Sequence, residues 1–463
     1  MRATKCGDVI VFIPGILGSV LERDGKALWD TRLATLTRLV VGRARDINGM
    51  TLADDSPDAE ALDDGVVATS VIPELHLLPG LWKIDGYTRV LRELQRRLDL
   101  EPGANLFAFP YDWRRDNRSS ARRLRRQAME WLHRWRRDSG NADARLVIVA
   151  HSMGGLVARY FLEVLGGWQD TRALVTLGTP YRGAVEPLMC LANGFDVKFG
   201  PVRLDLSAFC RSCTSVYQLM PIWESYDPGD GTLVRPGERG GSIPNVDPRR
   251  ALDALRFHRE IQDAVDINRR DPRWEERGYA IHPIVGTHQR TAASATLRDG
   301  KLVDSHEIRG RTIDGDGSVS RISAVPFELS RAGRELFVAT PHASLQSADA
   351  VLHHIEGLMT ARQLDLAEFF AGGPGLGLGV EPLHLSDEPI VVRVDAADAP
   401  GSLDLVVEDV DGGAAVVART LADEDRDVVV GPLPAGSYRV RIAGPGVPAI
   451  SDVFTVLDPI AAA

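Results

Sequence analysis

The run Leu146-Val147-Ile148-Val149-Ala150-His151-Ser152-Met153-Gly154-Gly155-Leu156-Val157-Ala158-Arg159-Tyr160 holds the residues best placed to do chemistry. An apolar, β-branched stretch gives way to helical periodicity around one serine, the pattern of a strand, a sharp turn and a helix. Small residues two positions before and after Ser152 allow a turn tight enough to lift its hydroxyl above a sheet edge. A serine hydroxyl is a poor nucleophile alone, so it needs an imidazole to take its proton and a carboxylate to orient that imidazole.

Such a corner is the nucleophile elbow of an α/β-hydrolase, with Ala150 where the first glycine of G-x-S-x-G would stand. In that fold the acid and then the histidine follow the nucleophile along the chain. Asp316, within Asp314-Gly315-Asp316-Gly317-Ser318-Val319, and His342, just beyond the strand pattern Glu335–Thr340, meet that order. Asp314 is a competing acid, and Asp314, Asp316, Ser318 and Ser320 also suggest a small calcium loop, without the spacing or closing glutamate of an EF-hand. His353 and His354 fall in a helical pattern and read as structural or solvent-facing. His151, adjacent to the serine on the turn, is poorly placed to act as its base. Pro14-Gly15-Ile16-Leu17-Gly18-Ser19 follows an early strand, where a backbone donor of the oxyanion hole is expected. The N–H groups of Ile16 and Met153 are therefore the predicted pair. Backbone amides suffice to polarise a carbonyl, so neither cofactor nor metal is expected.

The elements that must position these groups alternate. Strand patterns at 9–13, 105–109, 146–151, 173–177, 280–286 and 335–340 are separated by helical ones, including an Arg-rich helix after Pro110 and another over 252–267. Alternation of this kind predicts a mostly parallel sheet covered by helices on both faces. Two stretches break the pattern and read as inserted cap or lid segments. One, near 29–80, carries the acidic stretch Thr51–Gly65, read as a mobile segment, and Leu75, Leu77, Leu78, Leu81 and Trp82, an apolar approach for a lipid or a set of core residues. The other, near 186–245, carries Leu204, Leu206, Phe209, Tyr217, Leu219, Met220, Ile222, Trp223 and Tyr226. These suit an acyl chain as a group, although core packing is the better reading for most of them singly.

The expected organisation is a catalytic domain over 1–370, a glycine-rich join over 371–385 and a small immunoglobulin-like β-sandwich over 386–463, inferred from six short β-rich runs. That tail holds 14 acidic residues against 5 arginines, which accounts for nearly all of the chain's net charge of −10. Partner binding is the default role for it. The cluster Arg114, Arg115, Arg118, Arg122, Arg123, Arg125, Arg126, Arg134, Arg136 and Arg137 reads as a solvated basic face, with peripheral contact to an anionic membrane as the alternative; no strongly basic field marks a nucleic-acid binder. Four cysteines in 463 residues do not make a disulfide scaffold, and Cys210 with Cys213 lacks the second ligand pair of a zinc site. No signal peptide or apolar run of roughly 20 residues is visible, from which a cytoplasmic location is expected.

Taken together, Ile13–Ser19, Pro110-Tyr111-Asp112-Trp113-Arg114, Ala150–Gly155, Gly178-Thr179-Pro180-Tyr181-Arg182-Gly183, Gly315–Val319 and His342 resemble the lecithin:cholesterol acyltransferase and lysosomal phospholipase A2 family, including its bacterial lipase-like members. The resemblance runs over roughly residues 9–360. It implies a lipid or other hydrophobic ester as substrate and the triad Ser152, Asp316 and His342, with Ile16 and Met153 as oxyanion donors. It further implies cleavage of acyl esters and, in some members, transfer of the acyl group to an alcohol. Ser318 stands where the family usually has threonine, and the lid cysteine pair of the secreted members is absent.

Overall fold

The structure is a computed structural model that describes residues 6–30, 49–73, 76–78, 82–84, 86–199, 202–329, 335–360, 376–395, 402–410, 412–422, 427–445 and 447–459. Its centre is a six-stranded, wholly parallel sheet. In chain order the strands are β1 (Val9–Ile13), β2 (Leu106–Ala108), β3 (Leu146–His151), β4 (Thr171–Leu177), β5 (Ala280–Gly286) and β6 (Leu336–Val338), and in space they run β6-β5-β4-β3-β1-β2. Every residue of β1 and β3 is buried. That is why these strands read as unbroken apolar runs: with helices on both faces, neither side of the pleat meets water.

The helices that bear on the site are α1 (Thr88–Leu98), α2 (Asn117–Ser139), α3 (Gly154–Arg159), α4 (Val185–Asn193) and α5 (Pro248–Asn268). Asp116 caps α2 by accepting the Arg118 amide, and Gly140 ends it in the left-handed region. Leu124 and Leu132 are buried, with Met129 and Trp135 packed at the margin of the core.

The Arg-rich stretch is only in part the solvated face expected of it, with Arg125, Arg126 and Arg137 exposed. Arg114, Arg115 and Arg118 are buried, and much of what holds them is the acidic stretch expected to be mobile. Arg114 pairs with Asp112 and Asp64, Arg115 with Asp55, Arg122 with Asp58 and Arg126 with Glu60. Arg118 turns to Asp116, Asp253 and Glu260. Burial of a guanidinium requires such partners, and a carboxylate 60 residues away in sequence is invisible to any local periodicity.

In the second insertion Leu206, Phe209, Tyr217, Leu219, Met220 and Tyr226 join the main core, whereas Ile222 and Trp223 are only partly buried and line a cavity. The side chains of Leu204, Leu75, Leu77, Leu78, Leu81 and Trp82 lie outside the described residues.

A β-rich region follows. Gly377–Val380, Val391–Asp395 and Asp427–Val429 form one antiparallel sheet; Leu383–Leu385, Leu403–Asp409, Ala415–Leu421, Gly436–Gly444 and Val447–Leu457 form a second. Both contribute to one apolar cluster, with Leu378 and Val392 from the first and Leu405, Val440 and Phe454 from the second. Two of these strands occupy the stretch read as a glycine-rich join. Leu376, Leu378 and Val380 are buried between glycines, so the alternation of a strand is present there but the glycines hide it. Residues 371–375 lie outside the described residues. All four cysteines are free thiols, and among the described residues no helix is long and apolar enough to cross a membrane.

Candidate active site

Strand β3 ends at His151, and Ser152 sits at the corner before α3 with φ = 50°, in the left-handed region that a non-glycine residue adopts only when its surroundings enforce it. Its amide donates to the Leu177 carbonyl on β4 at 2.9 Å, and its carbonyl accepts from Thr179 Oγ1 at 3.0 Å. A side chain at Gly154 would run into the carbonyl oxygens of Pro14 and Ile13, so this position admits glycine alone. Ala150, which stands where the first glycine would, is fully buried.

The three sequence-predicted residues meet. Ser152 Oγ lies 2.8 Å from His342 Nε2, and His342 Nδ1 lies 2.7 Å from Asp316 Oδ2. A carboxylate only accepts, so the proton rests on Nδ1 and Nε2 is free to accept from the serine hydroxyl. The other Asp316 oxygen accepts the amides of Ser318 and Val319 at 3.0 and 2.7 Å. Because position 318 contributes a backbone group there, serine serves in place of threonine. The Asp316 carbonyl also accepts the His342 amide at 2.8 Å, tying the two loops together. Gly178, at φ = 59°, leaves room for the pair: a Cβ there would stand 2.8 Å from Asp316 Oδ2 and 2.9 Å from His342 Nδ1.

Asp314, the competing acid, instead accepts the His288 amide at 3.1 Å and lies 3.7 Å from Arg321. With Asp316 Oδ2 committed to His342 and Oδ1 to two amides, the two aspartates do not converge on a cation position; among the described residues no cluster of metal-ligating side chains occurs. His353 is exposed and His354 buried, both on the helix Asp349–Thr360.

The loop after β1 lies against the serine, since a Cβ at Gly15 would be 3.0 Å from Ser152 Cβ. Neither the Ile16 nor the Met153 amide donates a hydrogen bond among the described residues.

Sequence reasoning missed a second hydrogen-bonded chain. The Gly15 amide donates to Tyr87 Oη at 2.9 Å, Tyr87 Oη lies 3.0 Å from His151 Nδ1, and His151 Nε2 lies 3.1 Å from the His342 carbonyl. The carbonyl can only accept, so His151 carries its proton on Nε2 and the phenol donates to Nδ1. Burial, with His342 as a smaller contributor, pushes His151 down to about 3, which keeps this imidazole neutral. Burial likewise holds the Tyr87 phenol well above its usual range. The loop after β1 is thus connected to the backbone of His342 through two neutral side chains. Tyr87→Phe leaves the buried Gly15 amide without its acceptor, an omission worth roughly 1–3 kcal/mol. The expected result is about a tenfold fall in kcat with KM little changed, read from initial rates on a soluble ester. An unchanged kcat would show that Tyr87 does not hold the loop.

Glu186, at the start of α4, stands beside Asp316 and Ser318. Burial, with the Asp316 charge next in weight, pushes its carboxyl up to about 8, and its Oε2 is buried without a hydrogen-bond partner. Folding then requires Glu186 to hold a proton that the unfolded chain releases near its ordinary value of 4.5. Stability is lost as pH rises from about 4.5 to about 8 and does not change further on this account above that range. Glu186→Gln removes the penalty, so it is expected to match the parent at pH 4 and to melt at a higher temperature at pH 9; thermal unfolding at the two pH values checks this.

A 170-residue stretch, 81–250, matches the sequence profile of the lecithin:cholesterol acyltransferase family. Over that stretch the chain is similar to the lecithin:cholesterol acyltransferase family. Among curated relatives it is 30% identical over 157 residues to the lysosomal phospholipase A and acyltransferase of Bos taurus, which covers 32% of this chain and 37% of that one. With the Canis lupus familiaris protein of the same name it is 30% identical over 286 residues, or 59% of this chain and 64% of that one. The chain therefore spans between about a third and two thirds of these two relatives. A solved structure described as the Tle4-Tli4 complex aligns over 77% of this chain and 99% of its own, at 14% identity and a TM-score of 0.48. The stretch matched by the lecithin:cholesterol acyltransferase profile contains Ser152, Met153, Tyr87 and His151, while Ile16, Asp316 and His342 lie outside it.

Proposed function

We propose that this chain is a serine hydrolase that cleaves acyl esters of lipids through an acyl-enzyme on Ser152. The single observation that carries the proposal is the unbroken hydrogen-bond chain from Ser152 Oγ through His342 to Asp316, at 2.8 and 2.7 Å. In this reading Ser152 Oγ attacks the ester carbonyl carbon while His342 Nε2 takes its proton. Asp316 holds the imidazolium that forms, and the Ile16 and Met153 amides hold the carbonyl oxygen as it becomes an oxyanion. Collapse of the tetrahedral intermediate breaks the bond to the leaving alcohol, which departs with the proton from Nε2. Water, activated by the same imidazole, releases the fatty acid and restores the serine.

The relatives' name couples a phospholipase to an acyltransferase, and the second half of the cycle accommodates both, since a lipid alcohol can replace water at the acyl-enzyme. The residues up to about 370 would form the catalytic domain. The β-rich region would form an accessory β-sandwich available to a protein partner.

The test is a panel of phospholipids, neutral glycerides and short-chain esters presented to the parent and to Ser152→Ala, with both products identified by mass spectrometry. Turnover of long-chain esters, lowered by roughly 10⁴-fold or more in the variant, is expected. Turnover that survives the substitution would rule the mechanism out, and acylated alcohol among the products would assign the transferase branch.

A further inference from the structure

A cavity of about 890 Å³ opens beside the elbow helix without sharing any residue with the triad or the two oxyanion donors. Its size falls in the ~300–1,000 Å³ span of small-molecule sites. Leu156, Ile222, Trp223, Leu255, Ile261 and Phe327 give it apolar walls, and Phe327, at the rim, is 66% exposed.

The polar part of the lining is unbalanced. Five arginines face two glutamates. Arg159 is held by Glu163 and Glu328, Arg309 by Glu224 at 2.6 Å with Arg235 3.9 Å from the same carboxylate, and Arg259 by Glu238. Arg182 is the exception. Its guanidinium donates to the Ile322 carbonyl at 2.7 Å and lies under the Phe327 ring at 5.7 Å, and among the described residues it forms no ion pair with a carboxylate. Burial pulls it below the usual guanidinium range, and the Glu328 charge, already paired with Arg159, offsets this only in part. A second unmet donor lies in the same wall: Arg159 is 3% exposed, yet its Nε–H has no hydrogen-bond partner among the described residues.

We propose that this cavity binds a long-chain fatty acid, with its carboxylate on Arg182 and its hydrocarbon chain along the apolar wall. A planar monoanion matches the guanidinium fork, and an aliphatic tail matches the wall in a way that a small hydrated anion does not. The ligand's origin, as the acid released by ester cleavage, rests on the function proposed above. The site itself does not, because it lies apart from Ser152 and binding there needs no turnover.

The probe is 9,10-dibromostearate, whose bromines quench a nearby indole, added to full-length protein previously treated with a fluorophosphonate to close the serine site. The chain has eight tryptophans, so Trp223→Phe identifies the one that reports. Saturable quenching is expected in the parent, with a half-saturation concentration about tenfold higher in Arg182→Gln and an intermediate value in Arg182→Lys, which keeps the charge but not the fork. Trp223→Phe should lose most of the quenching while calorimetry with oleate still detects binding. The brominated stearyl alcohol should bind about tenfold more weakly than the acid and ignore the Arg182 substitutions. Equal binding of acid and alcohol, an Arg182→Gln curve that overlays the parent, or displacement of the acid by an equal concentration of inorganic phosphate would each overturn the proposal. Intact mass after the fluorophosphonate step reads the catalytic proposal independently: an unlabelled serine counts against ester cleavage, while the quenching curve judges the cavity.

Discussion

Asp316→Asn is expected to lower kcat by roughly 10⁴-fold while leaving the fold in place, and the reason lies in how the carboxylate is held. One of its oxygens accepts two loop amides, from Ser318 and Val319. Asparagine keeps that arrangement only by turning its carbonyl oxygen toward those amides, which points its NH₂ at His342 Nδ1. Two donors cannot face each other, so the imidazole moves its proton to Nε2 and can no longer accept from Ser152. Steady-state hydrolysis of a long-chain p-nitrophenyl ester, beside a thermal melt, measures both halves of the claim. A variant within tenfold of the parent would mean that the orientation of His342 does not depend on Asp316.

Arg159→Met is the substitution expected to cost the most stability, about 3–5 kcal/mol, because it strands buried carboxylates. Arg159 donates to Glu163 at 2.9 Å and to Glu328 at 2.5 Å, and the Glu163 side chain is only 1% exposed. The Tyr279 hydroxyl and Asn268 also donate to Glu163, so the carboxylate keeps hydrogen bonds but loses its counter-charge. Removing the acid as well, in Arg159→Met with Glu163→Met, is expected to recover part of the loss, since an apolar pair of similar volume needs no counter-ion. Urea unfolding of the parent, the two single variants and the double variant provides the cycle. A double variant that loses the sum of the two single losses would show that the pair is not coupled.

The site was legible in sequence wherever its causes are local. The change from β-branched residues to helical spacing around Ser152 describes a corner, and corners are made by near neighbours in the chain. Ser152 and His342 could be read because each follows a strand pattern, and parallel strands deliver their following loops to the same edge, whereas Asp316 was read from its order between them. What could not be read depends on pairs distant in sequence. The arginines of α2 gave a strong helical signal, but nothing in their spacing revealed that residues 51–65 would neutralise several of them. Nothing in the local pattern around Tyr87 singled it out. Its role depends on Gly15 and His151, respectively 72 residues before it and 64 after it. The one usable hint was an aromatic hydroxyl among otherwise aliphatic core positions, since a buried phenol needs a partner. In the β-rich region the glycines at 377 and 379 suggested a flexible join although Leu376, Leu378 and Val380 alternate into the core.

The central claim is that Ser152 is the nucleophile, activated by His342. The most direct measurement is peptide mapping of the parent, Ser152→Ala and His342→Ala after brief exposure to a long-chain fluorophosphonate. The account predicts one adduct, on Ser152, formed rapidly in the parent, slowly in His342→Ala and not at all in Ser152→Ala. An adduct on another residue, or labelling at the same rate without His342, would contradict it.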